Sequence, residues 1–335
     1  MKNKDIFTFR DAEKQAGPVA FSTMLKPAGS ACNLDCGYCY YLDKAAQYGG
    51  RQAVMADDLL ELYIRQYIEA NEVPVVTFCW HGGEPLLLGR DFYRRAVALQ
   101  RKYAAGKRIE NTLQTNGTLV DEAWCELFAE NGFLVGLSLD GPEDIHDAFR
   151  RTKGGRPTFA RVMRTVGMFR RTGVEYNTLS VVNRACEGRG AEIYRFFRDT
   201  VGSRYMQFLP AVEHVVDRAG LHRPLIVSPE TQGARPAEWS VTAEGYGTFL
   251  CDIFDEWVVS DVGQCFVQLF DATLAQWCGV QPGVCSMGET CGDALVVEHN
   301  GDVYSCDHFV YPEYLLGNIR ETPLAEIYRS RRRID

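Results

Sequence analysis

Ala31-Cys32-Asn33-Leu34-Asp35-Cys36-Gly37-Tyr38-Cys39 places three cysteines at C-x3-C-x2-C spacing just after a strand-like run. Three thiolates on one short loop can hold three irons of a 4Fe-4S cube and leave the fourth open, whereas a closed cluster takes four cysteines. An open iron binds a substrate or a cofactor. The competing readings are a zinc knuckle and a set of free buried thiols. Zinc sites usually pair C-x2-C with a second pair of Cys or His, and the next such residues here are Cys79 and His81. Tyr38, directly before the third cysteine, gives an open cluster an apolar plane for a nucleoside.

Outward from this loop, short β-rich runs recur at residues 19–25, 75–80, 109–115, 134–139, 175–182 and 205–209. Helical patterns separate them at 57–70, 91–103, 121–130, 159–171 and 191–199, as in the spacing of Leu59, Leu60, Tyr63, Ile64 and Tyr67. Such alternation predicts right-handed βαβ crossovers and a parallel sheet, doubly wound or closed into an incomplete barrel. Polar motifs fall where strands end: the cysteine loop, His81-Gly82-Gly83-Glu84-Pro85, Thr115-Asn116-Gly117 and Ser138-Leu139-Asp140-Gly141-Pro142. The carboxyl ends of parallel strands form the active site in such folds. After Pro210 a polar segment, 211–240, reads either as a linker or as the cover of a substrate site, the second being usual for a long loop in a compact enzyme. An amphipathic helix is expected over 243–259.

At 335 residues with 46% hydrophobic content, the chain suggests one large α/β domain and a smaller appendage. A net charge of -8 gives no electrostatic reason for a nucleic-acid partner. The first 16 residues lack the apolar core of a signal peptide and no stretch has the length of a membrane span, so a cytoplasmic protein without membrane attachment is expected. Twelve cysteines in a reducing compartment point to metal or redox chemistry rather than disulfides. Cys79, Cys125, Cys186, Cys251, Cys265 and Cys278 stand singly and read as core residues; the other six form two groups.

The second group is Cys285-x5-Cys291, then Cys291-x9-Gly301-x4-Cys306. Residues 294–298 and 302–305 read as strands joined by Asn300-Gly301, a strong hairpin signal. Such a hairpin returns Cys306 to Cys291, where the pair either packs, binds zinc or ligates a cluster.

With its C-x3-C-x-aromatic-C pattern, the first loop resembles the radical S-adenosylmethionine (radical SAM) superfamily, and Gly82-Gly83-Glu84 resembles that superfamily's GGE motif. The resemblance implies a 4Fe-4S cluster on Cys32, Cys36 and Cys39, with S-adenosyl-L-methionine on its open iron. It further implies a cofactor shell of Tyr38, Gly83, Glu84, Asn116, Ser138 and Arg150, with Arg151 as the other candidate for the cofactor carboxylate. Glu84 and nearby backbone would receive the cofactor's amino group; capping of strand ends is the plain alternative for Asn116 and Ser138.

The C-x9-G-x4-C segment resembles the opening half of the SPASM extension, implying auxiliary 4Fe-4S ligation by Cys285, Cys291 and Cys306. The family's later cysteines are absent from the sequence, and the chain stops within an apparent helix, 323–333, so a truncated form of a longer protein is expected. Cys306-Asp307, the 285–291 stretch and Leu316-Gly317-Asn318-Ile319 look like the anaerobic sulfatase-maturating enzymes.

That resemblance implies an α/β fold built as a partial (β/α)6 radical SAM barrel over 1–212. It implies connecting segments that cover substrate over 213–284 and an incomplete SPASM domain over 285–335. Asp307 would be the general base, an ordinary surface acid being the alternative. His81, Tyr41, Gln207 and Leu209 would line the peptide pocket. The implied reaction oxidises a Cys or Ser of an unfolded or nascent sulfatase to Cα-formylglycine, with flavodoxin or ferredoxin as electron donor. Rival readings are another SPASM peptide maturase, forming thioether or carbon-carbon crosslinks, and a non-catalytic iron-sulfur electron carrier.

Overall fold

The computed structural model describes residues 19–48, 54–217, 224–289 and 291–330. The stretch examined for a leader, Thr290, and the end of the helix expected over 323–333 lie outside the described residues. Six strands, β1 (Ser22–Lys26), β2 (Val75–Trp80), β3 (Arg108–Thr115), β4 (Phe133–Ser138), β5 (Tyr176–Val182) and β6 (Tyr205–Pro210), lie side by side in chain order. Every adjacent pair among them is parallel. Helices cross between them as the periodicity predicts, among them Asp57–Ala70, Gly89–Tyr103, Glu122–Glu130 and Phe159–Thr172.

Strand alternation sorts the two faces. In β2, Val76, Phe78 and Trp80 are buried, while Thr77 and Cys79 on the other face are half-buried. Against the first set the helix Asp57–Ala70 buries Leu59, Leu60, Tyr63, Ile64, Tyr67 and Ile68. The Tyr67 ring meets Phe78 edge-on at 5.1 Å, and each such large side chain removed from water contributes roughly 1.5–3 kcal/mol. Trp80 still finds a polar partner, its Nε1 donating to Asn111 Oδ1 at 2.8 Å. Local caps agree with the sequence: Asp121 accepts from Trp124 N at the start of Glu122–Glu130, and Gly173 at φ 70° ends Phe159–Thr172.

The other face lines a lumen that is polar along its middle strands. Gln114, Gly136 and Asn177 share one row of the sheet, and Ser138, Leu179 and Gln207 share the row above it. A Cβ on Gly136 would lie 2.0 Å from Gln114 Oε1 and 3.3 Å from Asn177 Oδ1, so both amides lean over this glycine. Gln114 Nε2 then donates to Ser138 Oγ at 2.9 Å.

Three features add to the expected pattern. The polar segment after Pro210 forms a small antiparallel sheet of β7 (His214–Val216), β8 (Leu225–Val227) and β9 (Arg235–Pro236); charged residues between its short apolar triplets hide these strands from a periodicity search. Next, β10 (Phe266–Val267) adds parallel to β6 and leads into an unforeseen helix, Gln268–Trp277. The expected hairpin exists as β11 (Ala294–Glu298) and β12 (Asp302–Tyr304), followed by β13 (Leu315–Asn318). This C-terminal hairpin also joins the main sheet, β11 pairing in parallel with β1 from Ser22↔Ala294 to Lys26↔Glu298, so that ten strands form one sheet.

The reading of six single cysteines as core is corrected. Cys125, Cys186 and Cys265 are buried and Cys79 is half-buried, but Cys251 and Cys278 are exposed. Cys251 points off the solvent side of the helix Ala243–Ser260, and Cys278 sits just past the end of Gln268–Trp277. Among the described residues, no helix is long and apolar enough to cross a membrane.

Candidate active site

The cysteine loop sits at the carboxyl end of β1, pinned by main-chain bonds to a distant segment. Asp35 N donates to Arg151 O at 2.8 Å and Gly37 N to Phe149 O at 3.1 Å. Cys36 is buried, and Cys32 and Cys39 are half-buried. Burial pushes the Cys32 thiol up to about 11 and the Cys36 thiol up to about 12; Cys39 adds to the rise at Cys32, and both Cys39 and Cys32 add to that at Cys36. Leu34 N at 3.4 Å and Asn116 Nδ2 at 3.8 Å both donate toward Cys32 Sγ. Desolvated thiols that the protein does not itself hold as thiolates, with donors aimed at sulfur, fit a cationic cluster. Among the described residues no three metal-binding side chains converge as they would on a single ion, whereas ligands of three separate irons stand farther apart.

Gly83 is where the second motif closes on the first. A Cβ there would lie 2.2 Å from the Ala31 carbonyl oxygen, so only glycine permits the approach. Gly83 N donates to Gly29 O and Glu84 N to Ala31 O, each at 2.8 Å. Glu84 differs from the expectation of a carboxylate free for a ligand. It is fully buried, with Oε1 accepting from Leu86 N at 3.0 Å and Thr115 Oγ1 at 2.9 Å, and Oε2 from Asn116 N at 2.8 Å. Burial raises its carboxyl to about 7 against the pull of these donors. Its side chain therefore joins the GGE turn to the end of β3, a bond that linear sequence does not reveal.

Asn116 continues the link, its Nδ2 donating to Asn33 Oδ1 at 2.9 Å. Arg150 also departs from expectation, because its guanidinium is engaged by protein. Nη2 and Nε lie 3.0 Å from Asp140 Oδ1 and Oδ2. Tyr38 OH donates to the same carboxylate, and the Arg150 guanidinium lies 5.6 Å over the Tyr38 ring. Asp140 was not singled out from sequence; its place after Ser138-Leu139 at a strand end was the available signal.

Asp307 follows β12 and sits beside the first cysteine loop. Its Oδ1 accepts from Lys26 Nζ, and its Oδ2 accepts from Tyr40 OH at 2.5 Å. Burial would raise this carboxyl, but the Lys26 and His81 charges and the bonds from Lys26 and Tyr40 outweigh it and bring it down to about 2. Lys26 is wholly buried at the end of β1. His81 Nδ1 accepts from Gly82 N at 2.7 Å, and burial lowers its ring to about 4.

Tyr41, expected to line the peptide pocket, has protein partners for both its hydroxyl and its ring. It is buried, its OH donating to Glu298 Oε1 at 2.6 Å and its ring lying 3.7 Å from Lys26 Nζ. Its neighbour Tyr40 reaches Asp307 instead, and neither Tyr40 nor Lys26 was foreseen. A lysine closing the otherwise uncharged strand Ser22–Lys26 was the overlooked sign.

Cys285 and Cys291, on the loop before β11, lie near Cys306, which follows β12. Cys306 feels the charges of the other two, and an added Cβ at Gly292 would sit 4.0 Å from Cys285 Cβ. Gln207 and Leu209 lie on the lumen-lining face of β6 with Tyr205, half-buried and exposed respectively. Gln207 borders a cavity of about 740 Å³ at the amino ends of β4, β5 and β6.

Comparison with known proteins accords with this geometry. Residues 27–184 match the Radical SAM superfamily, and residues 285–335 match SPASM, an iron-sulfur cluster-binding domain. The chain is 49% identical over 310 residues to a serine-type anaerobic sulfatase-maturating enzyme of Bacteroides thetaiotaomicron, covering 92% of this chain and 74% of the relative. It is 34% identical over 319 residues to a cysteine-type anaerobic sulfatase-maturating enzyme of Clostridium novyi, covering 93% and 80%. A solved structure, native anSMEcpe with bound AdoMet and Kp18Cys peptide, superposes with TM-score 0.81 at 31% identity, over 93% of this chain and 81% of that one. The chain therefore belongs to the anaerobic sulfatase-maturating enzyme family of the radical SAM superfamily, whose members combine a 4Fe-4S cluster with S-adenosylmethionine.

Proposed function

We propose that this enzyme oxidises a serine side chain of a sulfatase polypeptide to Cα-formylglycine, with Asp307 as the base. The serine type is favoured over the cysteine type by the higher identity to the serine-type relative, 49% against 34%. The observation that carries the reading is the bond from Tyr40 OH to Asp307 Oδ2, which ties the base to the residue that follows the third cysteine of the first loop.

Cys32, Cys36 and Cys39 would hold the 4Fe-4S cluster, and Cys285, Cys291 and Cys306 would ligate auxiliary iron-sulfur. When bound, the cluster and S-adenosylmethionine would supply the one-electron chemistry that removes a hydrogen atom from the serine Cβ. The remaining residues bind, orient and move a proton. Tyr38, Gly83, Asn116 and Ser138 shape the cofactor's bed, while Glu84 and Arg150 hold that bed through Asn116 and Asp140. His81, Gln207 and Leu209 face the peptide.

Asp307 Oδ2 accepts the hydroxyl proton once the neighbouring carbon is oxidised. A carboxylate near 2 is a weak base, so position and coupling to that oxidation carry the step. Loss of one hydrogen atom, one proton and one electron balances alcohol to aldehyde, and auxiliary iron-sulfur held by Cys285, Cys291 and Cys306 would supply the one-electron acceptor. A one-electron donor of the flavodoxin or ferredoxin kind would start the cycle.

The test is anaerobic incubation of reconstituted enzyme with S-adenosylmethionine, dithionite and paired peptides differing only in Ser or Cys at the target. Mass spectrometry should find formylglycine, faster from the serine peptide. Crosslinked product, or cofactor cleavage with neither peptide oxidised, overturns the reading.

A further inference from the structure

The segment that pins the first cysteine loop carries a one-sided run of charge. From Ala148 to Val174 the chain holds eight Arg and Lys and neither Asp nor Glu, in a protein whose net charge is -8. Three of the eight are engaged by other parts of the fold. Arg150 closes on Asp140, Arg171 pairs with Glu122 at 2.7 Å, and Arg170 Nη1 donates to the Thr200 carbonyl at 3.4 Å. Arg151, Lys153, Arg156, Arg161 and Arg164 are exposed and have no ion-pair partner among the described residues.

Residues 151–157 fold back as a small hairpin. A bridge joins Arg151 to Pro157, Thr152 N donates to Arg156 O at 3.0 Å, and Arg151 Nη1 donates to Gly155 O at 3.1 Å. Gly155 at φ 73° turns the tip, and no other atom lies within 4 Å of where its Cβ would stand. A second bridge joins Thr152 to Leu34, which lies between Cys32 and Cys36; partners in such a bridge stand about 5 Å apart. Lys153 is therefore the neighbour of a residue that touches the cysteine loop. Arg161 and Arg164 continue the charge along the start of Phe159–Thr172, three residues apart and so on one side of the helix. Behind the hairpin Asp147 is buried, its Oδ1 accepting from Thr158 N and Phe159 N at that helix start. Asp35 is the one acid of residues 27–41. A run of like charge is ordinarily a solvated face, but solvation does not require fastening it to the loop that would hold the cluster.

We propose that Lys153, Arg156, Arg161 and Arg164 form the docking surface for an acidic one-electron carrier protein, which reduces the cluster on Cys32, Cys36 and Cys39 across the hairpin. The assignment rests on the reading above that a carrier of this kind starts the cycle. The carrier is oxidised by one electron and the cluster reduced by one, with no bond made or broken. A chain of net charge -8 repels an acidic protein as a whole, so the basic strip is where approach is favoured, and such steering acts mainly on the association rate. From a docked carrier, the Thr152 bridge to Leu34 and the bond from Asp35 N to Arg151 O lead directly between Cys32 and Cys36.

The experiment uses reconstituted holoenzyme with two acidic carriers, a bacterial flavodoxin and a plant-type 2Fe-2S ferredoxin. Binding is read by calorimetry at about 10 and 150 mM salt, where charges are screened over roughly 30 and 8 Å. Reduction of the cluster by each reduced carrier, or by dithionite, is followed by stopped-flow visible absorption. The triple variant Lys153→Glu, Arg156→Glu, Arg161→Glu should weaken carrier binding about tenfold or more at low salt and slow carrier-driven reduction by a similar factor. Dithionite-driven reduction should stay within about twofold of wild type. Wild-type binding should weaken as salt rises, while Lys153→Arg, Arg156→Lys, Arg161→Lys should keep it. The same charge change at exposed Arg65, Arg94 and Arg101, on the helices Asp57–Ala70 and Gly89–Tyr103, should leave binding at 150 mM salt near wild type.

Equal losses in the two triple variants, slowed reduction by dithionite as well as by the carriers, or no binding of either carrier to the wild type overturns the assignment. So does tighter binding of a single-stranded oligonucleotide than of either carrier, which would give the strip to nucleic acid. Formylglycine from dithionite without strip-dependent binding sinks the docking surface and spares the reaction proposed above; strip-dependent reduction without formylglycine does the reverse.

Discussion

The hydroxyl of Tyr40 donates to Oδ2 of Asp307 at 2.5 Å, across 267 residues of sequence. Each belongs to a residue following a cysteine, Cys39 and Cys306, so one hydrogen bond connects the two cysteine groups. Removing it with Tyr40→Phe keeps the ring and frees one carboxylate oxygen. A bond to a charged group contributes about 1.5–3 kcal/mol, so kcat for formylglycine should fall roughly tenfold or more while KM changes little. Unaltered kcat would mean that Lys26 alone positions the base.

Asp307→Asn removes the proton acceptor and keeps the shape. Formylglycine should drop by about a hundredfold or more, the range for loss of a general base, while 5'-deoxyadenosine, followed by chromatography, continues to form. Parallel loss of both products would place Asp307 in cofactor binding instead.

Lys26→Met strands the Asp307 carboxylate and keeps the aliphatic stem. Breaking a buried ion pair from one side costs about 3–5 kcal/mol, a figure to be lowered here because Asp307 retains 20% exposure and its Tyr40 bond. Urea unfolding of the cluster-free protein should register a loss of roughly 2–3 kcal/mol. The double variant Lys26→Met, Asp307→Asn should recover much of it, and failure to recover would assign Lys26 a packing role alone.

Gly83→Ala drives a Cβ to 2.2 Å from the Ala31 carbonyl, a backbone atom that cannot swing aside. The cysteine loop must move, and iron retained after anaerobic reconstitution should decrease, with the visible absorption of the cluster. Full iron content in this variant would contradict the tight contact.

Glu84 makes stability depend on pH in a definite direction. Its folded carboxyl, near 7, lies above the ordinary 4.5, so the folded protein holds a proton that the unfolded chain has released. This contribution is complete below pH 4.5 and is lost as pH rises through 7, a change of about 3 kcal/mol at 1.36 kcal/mol per pKa unit. Glu84→Gln should flatten that part of the profile in the cluster-free protein. A difference between the two proteins that is constant from pH 4.5 to 8 would refute the linkage.

Much of the fold was legible because its determinants are local. The spacing of Leu59, Tyr63 and Tyr67, the cap at Asp121 and the Asn300-Gly301 turn act within one element and leave a pattern in the chain. The cysteine groups were legible for the same reason. What escaped depends on pairing between distant segments: Tyr40 rather than Tyr41 at Asp307, Arg150 closed on Asp140, Glu84 spent on Asn116 N, and β11 joined to β1. Two adjacent tyrosines look alike in sequence, and only the direction in which each leaves the loop separates a partner of Asp307 from a partner of Glu298.

The pairing of β11 with β1 acts as a gauge for the chemistry. Lys26 stands opposite Glu298, and Asp307 is carried from there by one short antiparallel return. Sliding β11 by a single residue would turn its side chains to the opposite face and carry the carboxylate away from Lys26 and Tyr40 together. Five aligned residue pairs thus decide where the Asp307 carboxylate stands relative to the first cysteine loop, with no cysteine among them.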